Sequence, residues 1–459
     1  MTKSKSTVLR VLALALAATT PAAVSAELSG GLFGHAATVA NGALHIVYIP
    51  SLSTSLLPFT FSDTPPFSFP HHHTSLGGNA PSAPASTDVV PVSTHYELDL
   101  TVSFNISSPA LKVTSTNFTA TGGPPPLAYH TSSLRDDNNS LVIWGGGTSD
   151  GFVGQLTPDT VWVFYAKNKS WTTAKIPVGP KPRRHHTAVI NSTDPSWFDV
   201  YGGVQDTATG FTSAPVLQNS VWGCDTDAFT WANLTAGPGE RYQHAAVMTP
   251  NGTMIVIGGL QQYIAAAANA SAAVLAQALA PMNSIGMYNS KTGVWASMAV
   301  TGASGSTPAD RAGHTAVMTE DNKILVYGGY DENNQPLGDL FILDPLTLTW
   351  TKPNVTGTPP SSRFFHTANV VDGQMVIVGG SGSSNAARGD VAVLTTSKAT
   401  NDAPPTYVWS GTFVPKGSEV RAPQPSPSPS QQGSHAMKKH VGFMGVVGAV
   451  VAALLVVAM

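Results

Sequence analysis

One arrangement recurs along this chain and limits what it can fold into. A histidine opens a short apolar run, and a Gly-Gly pair closes a second run 13 to 16 residues later. His130 leads to Gly145-Gly146, His186 to Gly202-Gly203, and His244 to Gly258-Gly259. His314 leads to Gly328-Gly329, and His366 to Gly379-Gly380. Arg183, Arg241, Arg311 and Arg363 stand three residues before four of these histidines, and Leu127 takes that place in the first. Each unit ends on a tryptophan: Trp171, Trp231, Trp295, Trp350 and Trp409. The stretch from Asp310 to Trp350 shows the unit most clearly, as four strand-length runs separated by turn residues. A fixed period of this length marks a repeat architecture.

A worn sixth unit precedes the five. His35 begins it, and the run to Ile49 reads as its second strand, but Ile49-Pro50 stands where the glycine pair is due. Tyr96 to Leu100 and Leu111 to Thr114 read as its third and fourth strands.

The five recurring positions resemble the kelch repeat. That resemblance implies an all-β fold: a six-bladed β-propeller of four-stranded blades, the first blade degenerate, over residues 27–415. Stacking physics agrees. A single four-stranded sheet cannot cover both of its faces, whereas a closed ring of sheets covers each face with a neighbour and leaves only short edges. The glycines suit close backbone approach or positive φ. The tryptophans suit a buried plate between blades.

Composition fits a turn-rich extracellular β protein. Only 11% of residues are charged, with 43 glycines and 35 prolines. Setting aside Lys3, Lys5, Arg10, Lys438 and Lys439 in the terminal segments, 18 basic residues face 26 acidic ones, which argues against a nucleic-acid partner. The single cysteine, Cys224, excludes an internal disulfide.

Residues 1–26 read as a secretory signal with a basic start, a short apolar core and Val24-Ser25-Ala26 at its end. Nine Asn-x-Ser/Thr sequons accord with export: Asn105, Asn117, Asn138, Asn168, Asn191, Asn233, Asn251, Asn269 and Asn354. Residues 51–94 form a Pro/Ser/Thr-rich insertion with His71-His72-His73, read as a low-complexity loop and not a metal site. The Ala-rich insertion within 260–283 has the composition of a short helix. Residues 416–440 form a Pro/Ser-rich stalk, and 441–459 are an apolar tail. The tail suits a transmembrane helix or a GPI signal. The lysines on its lumenal side favour GPI, with attachment at Ser434 or Gly433. The expected location is therefore the outer face of the plasma membrane or the cell wall.

The recurring Arg-x-x-His invites a catalytic reading, but a residue needed in every blade is more simply needed by the blade. Function is expected where the units differ, in the loops after the glycine pairs. Trp144 and Tyr330, which flank glycine pairs, and Asp150, Asp206, Asp331, Glu332 and Arg388, in the loops after them, are the candidate binding residues. Arg388-Gly389-Asp390 spells an integrin-type tripeptide, but Asp390 aligns with Asp339 at the start of a third strand. No cofactor and no metal site is expected. The expected partner is an extracellular protein or glycan, with the membrane met through the anchor. The alternative is a copper radical oxidase-like or other carbohydrate-active enzyme on the same propeller, and it follows from a second resemblance of kelch motifs, to the propeller of copper radical oxidases. Those need a Tyr crosslinked to a Cys, and Cys224 aligns inside a third strand, away from the channel mouth.

Overall fold

The computed structural model describes residues 35–418 apart from 49–93 and shorter gaps at 110, 117–121, 126, 149–155, 157–159, 177, 212–214, 266–273, 384–387 and 399–403. The signal segment, the tail and its proposed attachment site Ser434, Asp150, and the sequons Asn117 and Asn269 lie outside the described residues.

Six four-stranded antiparallel sheets follow one another along the chain, each built in sequence order from the axis outward. Blade one comprises Ala36–Ala40, Ala43–Tyr48, Thr94–Asp99 and Leu111–Thr116. Blade two comprises Thr131–Leu134, Ser140–Trp144, Thr160–Tyr165 and Ser170–Lys175. Blade three comprises Thr187–Ile190, Trp197–Tyr201, Ser220–Asp225 and Thr230–Ala236. Blade four comprises Ala245–Met248, Thr253–Ile257, Ser284–Asn289 and Val294–Ala299. Blade five comprises Thr315–Met318, Ile324–Tyr327, Leu340–Asp344 and Thr349–Thr351. Blade six comprises Thr367–Val371, Gln374–Val378, Val391–Ser397 and Thr406–Ser410. Each first strand neighbours the first strand of the next blade, and that of blade six neighbours that of blade one, so the ring closes.

The second strands of blades two, four, five and six read as unbroken apolar runs, apart from a first residue in three of them, because both of their faces are covered, whereas that of blade three carries the buried Asp199, which accepts from Trp197 Nε1 and the Ser290 hydroxyl. Six apolar clusters fill the six gaps between blades. Between blades two and three, Trp144 and Val161 meet Phe198 and Trp231, and the two tryptophan rings lie 5.2 Å apart. Trp409 packs likewise on Tyr327 of blade five, and Trp295 on Tyr201 of blade three. The closing gap joins Leu44, Ile46 and Leu98 to Val376, Val378 and Val391.

Ring closure also uses a device with no repeat signature. Thr412–Phe413, beyond the last blade, pairs with Phe104–Asn105 in blade one, and the two phenylalanine rings stack at 5.2 Å. Two linkers add fifth strands. Thr301–Gly302 runs parallel to the outer strand of blade five, and Val355–Gly357 to that of blade six. Each covers a row of backbone groups that would otherwise face solvent.

The Ala-rich insertion is not helical where it is described. Leu260–Ala265 and Val274–Leu279 pair as an antiparallel hairpin that extends the short strand Arg241–Tyr242. A waiting strand edge outweighs the helix propensity of alanine, which is worth only tenths of a kcal/mol per residue.

The sequons differ in access. Asn105, Asn138, Asn168, Asn233, Asn251 and Asn354 are exposed. Asn191 is buried, and its side-chain oxygen accepts from the Thr193 amide and hydroxyl within a turn, so it has no room for a glycan.

Candidate functional site

The repeated residues form one interlock. The backbone N–H of the second glycine donates to the arginine carbonyl of the next blade: Gly146 to Arg183, Gly203 to Arg241, Gly259 to Arg311 and Gly329 to Arg363, all at 2.8–2.9 Å. The first glycine leaves room for the next blade's histidine, since a Cβ at Gly145 would lie 2.6 Å from His186 Cε1. The arginine side chain works within its own blade. Arg311 Nη1 donates to the Gly328 carbonyl at 3.0 Å, and the guanidinium forms a fork with Asp339 at 2.7 and 3.0 Å. Arg363 does the same with the Gly379 carbonyl and Asp390, so Asp390 of the Arg-Gly-Asp tripeptide serves the blade. Among the described residues, no carboxylate answers the arginine in blades three and four. Arg183 reaches the Gly202 carbonyl and Ser220, and Arg241 reaches the Gly258 carbonyl and Gln261. Leu127, in the unit whose predecessor lacks the glycine pair, is buried against Val47 and Leu141 instead.

The six histidines ring the axis, each about 5–6% exposed. Each Nε2 points at the residue after the histidine of the preceding blade. Where that residue is threonine, a hydrogen bond forms: Thr131–His186 at 2.9 Å, Thr187–His244 at 2.8 Å, Thr315–His366 at 2.8 Å and Thr367–His35 at 2.9 Å. Blades one and four carry Ala36 and Ala245 there, and among the described residues the buried Nε2 atoms of His130 and His314 find no partner. We expect Ala36→Thr to raise stability by about 0.5–1.5 kcal/mol, the net value of a new hydrogen bond to a buried group. Urea unfolding reads this directly, and a loss of stability would show that His130 is not waiting for a hydroxyl. Ala245→Thr should act in the same direction.

Burial drives these rings neutral. It pulls His35 and His314 to about 3 and His130 to about 4, and takes His186, His244 and His366 well below the ordinary range. After burial, the next cause for His186, His244, His314 and His366 is the positive charge of the arginine three residues before each. These residues therefore serve the ring.

Above the histidines the blades differ. The residue just before each repeated histidine is Tyr129, His185, Gln243, Gly313 or Phe365 in blades two to six, and all five take left-handed backbone, with φ of 54–65°. That conformation turns each toward the axis. They line an axial cavity of about 130 Å³ with the histidines beneath. Tyr129 lies 3.9 Å from the His185 ring and 5.2 Å from that of Phe365, centroid to centroid. The cavity opens on the face of the loops after the glycine pairs, because the residue two before the histidine bridges the residue after the pair in four blades, as in Ala312 with Tyr330.

The candidate binding residues fall differently from expectation. Trp144 is 1% exposed and belongs to the gap between blades two and three, since it ends the second strand and not the loop. Asp206 is 2% exposed and ion-paired to Arg184 at 2.6 Å. Tyr330 is buried in the axial cluster with Phe364, its hydroxyl donating to Gln243 Oε1. Asp331 caps its own turn by accepting from the amides of Asn333 and Gln335, while Glu332 is exposed. Arg388 packs on Gly382. The axial set Tyr129, His185, Gln243 and Phe365 escaped the sequence reading. Its signal was present, as the second of the two variable positions between the constant arginine and histidine.

Cys224 lies in the third strand of blade three, fully buried between Phe198 and Trp231, and burial pushes its thiol far up. It lines no part of the axial cavity. Among the described residues, no three His, Cys, Asp or Glu side chains converge in a way that could hold a metal.

Six closed blades around an axial cavity define a kelch-type β-propeller. The model of the KLHDC2/KLHL20/DRC7 Kelch-repeats domain matches residues 94–270 and 275–445, more than half of the chain, and the chain belongs to the kelch-repeat family. It is 28% identical over 165 residues to the Rab9 effector protein with kelch motifs of Xenopus laevis, covering 35% of this chain and 40% of that protein. It is 41% identical over 81 residues to host cell factor 1 of Homo sapiens, covering 17% of this chain and 4% of that one. The chain spans 40% or less of the length of such relatives. The solved structure of YjhT superposes with a TM-score of 0.52 at 13% identity, over 82% of this chain and 97% of that one, a likeness of fold alone.

Proposed function

We propose that this propeller is a non-catalytic recognition module, displayed outside the cell on its stalk, that binds a protein or glycan at the axial mouth. The observation that carries this reading is the contrast between rings. The constant arginines, histidines and glycines are consumed by the scaffold, while the variable residues converge on one opening and keep unpaired polar groups there. Protein binding accords with the word "effector" in the name of a relative. Display outside the cell rests on the signal segment, the exposed sequons and the apolar tail.

The test uses the full chain on intact cells. Phosphatidylinositol-specific phospholipase should release it, and the released protein should be probed against glycan and extracellular-protein arrays. For any ligand captured, Gln243→Ala and Phe365→Ala should each weaken binding tenfold or more, because small central clusters dominate recognition energy. Glu320→Ala, on the opposite face, should leave it unchanged. Equal binding by all variants would discard the axial mouth.

A further inference from the structure

On its polar side the axial mouth presents the donors of His185 and Gln243. Asp206 Oδ2 accepts from Arg184 Nε at 2.7 Å and from Nη2 at 2.6 Å. Arg184 Nη1 in turn lies 3.3 Å from His185 Nε2. A guanidinium can only donate, so Nε2 accepts and the imidazole proton sits on Nδ1. Burial first, then Arg184 and His186, hold His185 neutral. Across the mouth, the Tyr330 hydroxyl occupies Gln243 Oε1, which leaves the amide N–H groups of Gln243 for the cavity. Gln243 is 6% exposed and Tyr129 7%, and both line the opening. Neither the Gln243 amide nitrogen nor the Tyr129 hydroxyl has a partner in the described structure. The remaining wall is the flat surface of Tyr129 and Phe365. On the same side as His185 and Gln243, Arg183 and Arg241 have no carboxylate partner.

We infer that Asp206, Arg184 and Tyr330 are positioning residues that make the axial mouth a site for a hydrogen-bond acceptor carried on a flat apolar body. This rests on the reading of that mouth as the binding site. The donors come from blades three and four, and the apolar wall from blades two and six. An acceptor oxygen meets the His185 Nδ1–H and the Gln243 amide while its carrier stacks on Tyr129 and Phe365. A cation of the same shape meets the N–H groups of those two residues, since His185 Nε2 is used by Arg184 and Gln243 Oε1 is turned to the Tyr330 hydroxyl. The aromatic faces could attract a cation, but Arg184 already stands over the Tyr129 ring at 6.0 Å.

The experiment uses ¹⁵N-labelled protein at pH 7 and three probes of one shape: benzamide, benzoate and benzamidinium. The His185 signals, assigned by their loss in His185→Gln, should report a neutral ring protonated on Nδ1. Arg184→Met combined with Asp206→Leu removes the ion pair without stranding a charge, and should give a tautomer mixture. Benzamide and benzoate should shift the His185 and Gln243 side-chain signals, with benzamidinium at least tenfold weaker. Gln243→Leu should weaken both binders about tenfold. The stronger of the two shows whether the oxygen comes from a neutral amide or a carboxylate, and either supports the inference. A His185 protonated on Nε2 or charged, benzamidinium binding as tightly as benzamide, or no shift with any probe would overturn it. None of these readouts needs the biological ligand, so a failed array search and a failed donor site remain separate results.

Discussion

Lowering the pH from 7.5 to 5 should unfold this protein cooperatively, well before its carboxylates titrate. The cause is the number of imidazoles that the fold keeps neutral. Burial holds His35, His95 and His314 at about 3 and His130 at about 4, with His185, His186, His244 and His366 also well below 6.5. The unfolded chain takes up these protons below about 6.5, and the folded chain does not. Stability is therefore complete above that pH and falls as the pH drops toward the folded values. Each such histidine costs up to about 1.4 kcal/mol per pH unit in that window. Four of them acting fully would remove about 5–6 kcal/mol per unit, against a net stability of about 5–15 kcal/mol for a typical domain. Thermal melts between pH 7.5 and 4.5 test this. A melting temperature that stays level across the range would mean that the axial rings are hydrated or charged in the folded protein.

Gly328→Ala should cost about 3–5 kcal/mol, a large value for one methyl group. Gly328 has φ +67°, and a Cβ there would lie 2.6 Å from the Arg363 carbonyl oxygen and 2.8 Å from His366 Cε1. Neither neighbour can yield. The Arg363 carbonyl is held by the Gly329 N–H at 2.9 Å, and His366 by Thr315 at 2.8 Å. Gly293→Ala is the control. It has φ +70°, but nothing lies within 4 Å of its Cβ position. It should lose only about 1–2 kcal/mol, the cost of left-handed backbone for an L-residue. Equal losses in urea unfolding would show that backbone conformation alone, and not the fit between blades, demands the pair.

Much of the scaffold was readable because its parts recur with a fixed spacing. His35, followed by Ala36-Ala37-Thr38-Val39, was enough to recover the degenerate first blade, whose third and fourth strands begin at Thr94 and Leu111. Asp390 was correctly assigned to the blade by its alignment with Asp339. The Ala-rich insertion was misjudged, since its strand partner Arg241–Tyr242 lies some twenty residues upstream and local composition carries no sign of it. Trp144, beside a glycine pair, and Asp206, in the loop after one, were read as available for binding. Both are consumed by packing or pairing with residues 22 or more positions away: Trp231 and Arg184.

The sequence alone determined that six look-alike sheets must cover one another, that the glycine pairs stand where the backbone passes closely or takes positive φ, and that Cys224 belongs to a strand interior. Each of these follows from a local pattern repeated at a constant interval, which survives without knowledge of distant neighbours. Only the tertiary structure decided that Tyr129, His185, Gln243 and Phe365 share one opening, that Asp206 and Arg184 orient His185, and that Phe413 clasps Phe104 to close the ring. The physical reason is closure. Residues scattered over about 240 positions become neighbours when the last blade meets the first, and the short-range pattern marks the variable positions without saying which of them then share one opening.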